Sequence, residues 1–287
     1  MSTISIYYSI NHILKNNHVN RIIALFKYVK WQLIKAFNLF PLKIKISNSI
    51  IEIQDKLIAL EGGTKMYTQG MYDYNNMNLI KHILKIKPGI FFDIGTNIGV
   101  YSLIASESNE SKIISFEPHP YTFQILNNQI KLNQRINITT INKAVSNKNG
   151  KVMFTNQGGS SVNKVASNEE ANTIEVDCIT MNSFCNYNNL LPEIVKLDVE
   201  GYELEVLEGF ENSLNQVNVL LIEISKNKEV IHQMLTDKNF IGPLSFDYKN
   251  LKFKKFNTTD SIEDPIYVLN EYKSKLISTY SITFSES

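Results

Sequence analysis

The segment Phe91-Phe92-Asp93-Ile94-Gly95-Thr96-Asn97-Ile98-Gly99 constrains this chain more than any other. It follows a Lys87-Pro88-Gly89 turn, and its apolar half reads as a short strand over 90–94. The glycines break that strand and open a helix over 100–106. A strand, a glycine loop and a helix N-terminus, in that order, build a nucleotide-cofactor site in a doubly wound α/β sheet. Asp93 then selects among cofactors. In a dinucleotide site the pyrophosphate docks near this point on backbone N–H groups and the helix dipole, where a carboxylate repels it. A cofactor whose nearest portion is cationic suits Asp93 better. S-adenosylmethionine has an α-ammonium, a sulfonium and no phosphate, so the segment points to a methyl donor and ranks a dehydrogenase last.

The remainder of the pattern supports an α/β fold. Strands are expected over 90–94, 112–116, 138–141, 194–198 and 217–224, with helices over 121–133, 181–187, 203–208 and 228–236. That alternation is the signature of βαβ units. Two further strands, near 151–155 and 173–178, read as a hairpin inserted between the third and fourth sheet strands. The tail over 241–269 reads as antiparallel strands closing the sheet edge. The expected organisation is a helical extension over 1–50 followed by a catalytic domain over 51–287.

The first 50 residues differ in kind. Ile22, Ile23, Phe26, Val29, Leu33, Ile34, Phe37 and Phe40 recur at helical spacing among Arg21, Lys27, Lys30 and Lys35, and Pro41 ends the helix. Two readings fit this basic amphipathic helix over 20–40. It packs on the catalytic domain or a second subunit, the preferred reading, or it lies on an anionic membrane surface. Residues 43–51 and 56–60 read as short strands. Seven cations precede the first acid, Glu52, giving a formal +7 against a total of +1, which leaves about −6 on the rest. A net acidic core argues against a nucleic-acid partner. Cys178 and Cys185 have no metal-ligand pattern around them and suit a reduced pair in a cytoplasmic enzyme, peripheral at the inner membrane face under the second reading. No apolar run approaches the ~20 residues that span a bilayer.

Two more clusters carry chemistry. Glu117 ends the second strand, 18 residues after Gly99, where an acid accepts hydrogen bonds from the ribose hydroxyls of an adenosine. Asn142, just after the third strand, is placed to contact the adenine edge. The second cluster lies in Ile194-Val195-Lys196-Leu197-Asp198-Val199-Glu200-Gly201. Lys196 interrupts an apolar strand and must be paired. Strand alternation puts it on the same face as Asp198, and Glu223 ends the adjacent strand. This polar wall reads either as an acceptor-orienting, proton-accepting surface or as a structural ion pair. Gly158-Gly159-Ser160-Ser161 reads as a loop over the site or an ordinary turn. His119 sits beside the ribose acid and is not expected to be a base; His12, His18, His82 and His232 lack metal spacing.

In these stretches, together with Glu117-Pro118-His119-Pro120, Asn142-Lys143-Ala144-Val145 and Ile222-Glu223, the chain resembles the FkbM family of S-adenosylmethionine-dependent methyltransferases over about 67–269. The resemblance implies a class I methyltransferase sheet of seven strands with one antiparallel edge strand. It implies that Asp93, Gly95, Asn97, Gly99 and Glu117 hold the cofactor, and that Asp198, Glu200 and Lys196 line the reaction centre. The cysteine and histidine spacings, read on their own, lead to no expected metal. The resemblance also implies O-methylation of a small-molecule or glycan acceptor such as a sugar or natural-product hydroxyl. Two other readings remain open: an RNA methyltransferase, which lacks the expected Asp/Asn-Pro-Pro-type motif here, and a non-catalytic module tethering partners through the basic helix.

Overall fold

The computed structural model describes residues 10, 13, 18–55, 62–156, 163–166, 172–256 and 264–285. They fall into two compact units, one extending to Tyr74 and the other beginning at Asn75.

In the first unit, Asn20 caps helix α1 (Arg21–Ala36) by accepting the N–H groups of Ile22 and Ile23 through its side chain. One face of α1 buries Ala24, Tyr28, Trp31 and Ile34. Strands β1 (Leu42–Ile46) and β2 (Ser49–Ile53) pair antiparallel, with Ile44, Ile46, Ile51 and Ile53 buried. The sequence pattern had joined both strands into one. Ser47 and Asn48 form the two-residue turn between them, with Ser47 at φ 54°, the positive value such hairpin turns require. The strand expected over 56–60 lies outside the described residues. Helix α2 (Thr64–Gln69) meets α1 at Trp31, whose Nε1 donates to Thr64 Oγ1 at 2.9 Å and whose ring stacks on Tyr67.

Helix α3 (Tyr74–Ile86), whose residues from Asn75 on belong to the second unit, buries Met77, Leu79, Ile80, Ile83 and Leu84. The alternating pattern then appears in full: β3 (Ile90–Ile94), α4 (Val100–Ala105), β4 (Lys112–Phe116), α5 (Pro120–Leu132) and β5 (Ile138–Ile141). A small sheet follows, β6 (Ala144–Val145), β7 (Gly150–Thr155) and β8 (Thr173–Ile179), in which β7 and β8 form the expected inserted antiparallel pair. Next come α6 (Met181–Asn188), β9 (Ile194–Leu197), α7 (Glu203–Phe210), β10 (Val219–Ile222), α8 (Lys228–Asp237), β11 (Phe240–Asp247), β12 (Lys252–Lys255), β13 (Ile266–Leu269), α9 (Lys273–Tyr280) and β14 (Thr283–Phe284).

The main sheet runs β14-β12-β11-β13-β10-β9-β3-β4-β5. Five strands from β5 to β10 are parallel, and β9 and β10 are buried at every position, as a sheet covered on both faces requires. The tail closes the far side as expected, but the antiparallel strand is not at the edge. β13 is inserted between β10 and β11, and β12 and β14 extend the sheet to nine strands. Below the strands, Phe92, Phe116 and Phe184 pack ring on ring with Val206, Leu207 and Phe210 of α7.

The chain leaves β3 toward β4 and β5 on one side and later returns on the other side through β9 and β10. The strand order therefore switches between β3 and β9. Ligands of open α/β sheets bind at the carboxyl ends of strands at such a switch.

Candidate active site

The glycine loop at the end of β3 is locked by backbone packing. A Cβ at Gly95 would lie 1.7 Å from the carbonyl oxygen of Asp198, and Gly95 has φ 79°. Only glycine lets the loop after β3 lie against the end of β9. Gly95→Ala is accordingly expected to cost several kcal/mol, about 3 or more, as forced overpacking on rigid backbone does. A denaturant melt checks this, and an unchanged midpoint would contradict the packing described. Gly99, at φ 89°, passes close to Leu126 for a similar reason. Asn97 between them is also left-handed, at φ 53°.

Asp93 lies beneath this loop, 2% exposed. Its Oδ2 accepts hydrogen bonds from Thr96 Oγ1 at 2.6 Å and Ser102 Oγ at 2.5 Å, and Ser102 also meets Ser115. Burial raises its pKa, against the lowering effect of the two hydroxyls. The carboxylate thus ties the loop to the first turns of α4. Thr96, Ser102 and Ser115 were not singled out by sequence; small hydroxyl residues near an acid are too common to be a signal.

Glu117 stands at the end of β4. Oε2 accepts the Asn97 N–H at 3.0 Å and Oε1 accepts the His119 N–H at 2.9 Å, so the main chain fixes the carboxylate plane. Each oxygen retains a second lone pair. Burial pushes the group up to about 7, while the two N–H groups act in the opposite direction. Asn142 donates from Nδ2 to the carbonyl oxygens of Glu117 and Pro118, which holds the turn carrying the acid. His119 Nε2 lies 3.1 Å from Asn156 Oδ1.

The second cluster assembles at the ends of β9 and β10, where the parallel ladder runs one residue on through Asp198 and Glu223. Lys196 Nζ is 3.1 Å from Asp198 Oδ2 and 3.0 Å from Asp264 Oδ2, with the Tyr101 ring centroid 5.4 Å away. Burial works against the ammonium, but Asp198, Asp264 and Glu223 outweigh it and hold its pKa well above the usual lysine range. Asp198, Glu200 and Glu223 each bring a carboxylate oxygen within 4.8 Å of the others. Burial first, and then Asp198 and Asp264, push Glu223 up to about 8. Burial, with Asp198 adding to it, also raises Glu200. Glu200 has φ 54°, and Glu203 Oε1 steadies the turn by accepting the Gly201 N–H at 2.6 Å. A non-glycine residue held in this region is a strained position of the kind found at functional sites.

Asp264 and Tyr101 were missed in the sequence reading. Asp264 belongs here because β13 is antiparallel: its first residues reach the edge where the parallel strands end, and Ile222 donates its N–H to Pro265. The loop 158–161 lies outside the described residues. Cys178 and Cys185 are buried free thiols.

The arrangement suits an adenosine-bearing cation. A buried acid with spare acceptor capacity ends β4, a glycine loop lies beside it, and a carboxylate-rich wall ends β9 and β10. A phosphate fits poorly against so many carboxylates. These features match the demands of S-adenosylmethionine.

The family model described as "Methyltransferase FkbM domain" matches residues 93–241. The hexuronic acid methyltransferase AglP of Haloferax volcanii is 29% identical over 150 residues, covering 47% of this chain and 55% of that protein. The chain therefore spans about half the length of that relative. Similar solved structures include a SAM-dependent methyltransferase from Agrobacterium tumefaciens (7% identity, 69% of this chain and 57% of that one, TM-score 0.44). An rRNA methylase from Streptococcus thermophilus is another (12%, 67% and 90%, TM-score 0.40).

Proposed function

The chain belongs to the FkbM methyltransferase family, whose cofactor is S-adenosylmethionine, and we propose that it methylates a hydroxyl oxygen on a sugar or sugar-bearing acceptor. The observation that carries this reading is the Lys196–Asp198–Glu200–Glu223–Asp264 cluster at the sheet switch point. When bound, S-adenosylmethionine supplies a methyl group already activated on a sulfonium.

The chain's own residues would then bind, align and take a proton. Gly95, Asn97 and Gly99 shape the loop, Asp93 fixes it from below, and Glu117 accepts from the ribose hydroxyls. Asn142 supports Glu117 through the turn. Alignment of two bound reactants contributes about 7–11 kcal/mol in well-oriented systems. Asp198 is the first candidate to receive the hydroxyl proton, with Oδ2 held by Lys196. Glu223, pushed up to about 8, gains the capacity for the same task as the pH rises toward that value. Glu200 lies at their side, and Lys196 holds the wall together.

AglP, the relative above, is a hexuronic acid methyltransferase by name, which supports an acidic or related sugar as acceptor class. Between the two kinds of oxygen such a sugar offers, the carboxylate-rich wall favours a neutral hydroxyl, because an acceptor carboxylate there faces like charges. The same argument weighs against an RNA backbone.

Methyl-labelled S-adenosylmethionine and a panel of hexose and hexuronate oligosaccharides test this reading. Label in a methyl ether is expected. Asp198→Asn should lower turnover by about 10²–10⁴-fold, the worth of a positioned base, with little change in cofactor affinity. Label in a methyl ester or in RNA, or full turnover by Asp198→Asn, contradicts the assignment.

A further inference from the structure

Helix α1 has two apolar faces, and only one is used. Ala24, Tyr28, Trp31 and Lys35 are buried at intervals of three and four residues. On the opposite side, Ile22, Phe26, Val29, Leu33 and Phe37 recur at the same intervals and are between 53% and 72% exposed. Ile23 and Leu39 extend this surface and are also more than half exposed. A helix that needed only its own core would carry polar residues there. An exposed apolar stripe of this extent marks an interaction surface.

Charge identifies the partner. Lys27 and Lys30 lie exposed beside the stripe, and Lys45 is exposed on β1. The first 51 residues contain seven lysines and arginines and not one aspartate or glutamate. A second copy of the same face would set this positive surface against itself, and like charges across an interface oppose association. An anionic lipid surface offers what the stripe lacks: an apolar layer for the phenylalanines and negative headgroups for the lysines. No helix among the described residues is long and apolar enough to cross a membrane. At 16 residues α1 is about 24 Å long, which suits lying in the plane of the headgroups.

We propose that the outer face of α1, with Phe26 and Phe37 as apolar anchors and Lys27 and Lys30 as headgroup contacts, docks this chain on an anionic lipid bilayer. The inference is independent of the reaction assigned above. It takes up the second of the two readings that the sequence left open for this helix.

Co-sedimentation of the full chain with vesicles tests it. Vesicles of phosphatidylcholine with about a third phosphatidylglycerol are expected to pull the protein down, and phosphatidylcholine alone is not, since each basic residue near an anionic surface contributes measurably. Binding should weaken as salt rises. Lys27→Glu with Lys30→Glu should raise the lipid concentration for half-binding at least about tenfold. Phe26→Ser with Phe37→Ser should do the same at unchanged charge. Both pairs are surface positions, so the thermal midpoint and cofactor binding should match the unaltered protein. Absence of binding to anionic vesicles overturns the proposal, as does binding by both variants as tight as that of the unaltered protein. A dimer in sedimentation velocity that the phenylalanine pair dissociates, without lipid binding, assigns the face to a second copy instead.

Discussion

Replacing Glu117 with alanine is expected to weaken S-adenosylhomocysteine binding by about a hundredfold or more. The carboxylate is held in place by the N–H groups of Asn97 and His119 before any ligand arrives, so its orientation costs nothing on binding. Hydrogen bonds to a charged group contribute roughly 1.5–3 kcal/mol each, and a ribose has two hydroxyls to donate. Alanine also frees two backbone N–H groups in the turn that shapes the loop. The native affinity should depend on pH. Because burial pushes Glu117 up to about 7, the protein holds it largely protonated at pH 6, when it accepts ribose hydroxyls poorly. Affinity should therefore rise from pH 6 to 8 and then level off, and Glu117→Gln should flatten that rise. The same shift has a stability consequence of opposite sense. An acid whose folded value exceeds its unfolded one leaves stability intact below about 4.5 and diminishes it as pH climbs toward 7. Calorimetric titration at three pH values measures the binding effect. Unchanged affinity in Glu117→Ala would remove this residue from the cofactor site.

Lys196→Met should cost the fold about 3–5 kcal/mol at pH 8, because it breaks the buried charge cluster at the ends of β9 and β10. The methionine fills the volume, but Asp198, Asp264 and Glu223 lose the cation between them. Protonation is the relief open to them, so the loss should be smaller at pH 5.5. In the native protein the raised lysine value means that the stabilisation is fully present below the unfolded value of about 10.5 and is lost only as pH passes the folded one. Adding Asp264→Asn to Lys196→Met should recover part of the deficit by removing one of the stranded charges. Urea melts of the three proteins at both pH values measure this. An equal deficit at both, with no recovery in the double variant, would mean the loss comes from packing and not from charge.

What the sequence revealed and what it hid have physical reasons. The parallel strands are short β-branched and aromatic runs bounded by turns, so β3, β4 and β5 were legible to the residue. Lys196 and Asp198 were legible as neighbours because strand alternation is a local rule. Asp264 was not, since its place depends on the direction of β13 and on a strand pairing distant in sequence. Helix α3 escaped because Asn75, Asn76 and Asn78 are weak helix formers, and its burial on the domain overrides that preference. The turn at Ser47 and Asn48 escaped because apolar residues flank it so closely that one long strand fitted the pattern. At the site, the residue types were readable, but the way in which the main chain fixes Glu117 and two hydroxyls occupy Asp93 is a property of the fold. The amphipathic helix shows the same limit. Its periodicity was plain, while the division of its apolar residues between a packed face and an exposed one was not.

The most direct test of the central claim is a calorimetric titration of the native protein with S-adenosylhomocysteine and, separately, with NAD. Stoichiometric binding of S-adenosylhomocysteine with no heat from NAD is the expected result. Binding of NAD, or silence with S-adenosylhomocysteine under conditions where the protein is folded, would contradict the assignment of this sheet edge to a methyl donor.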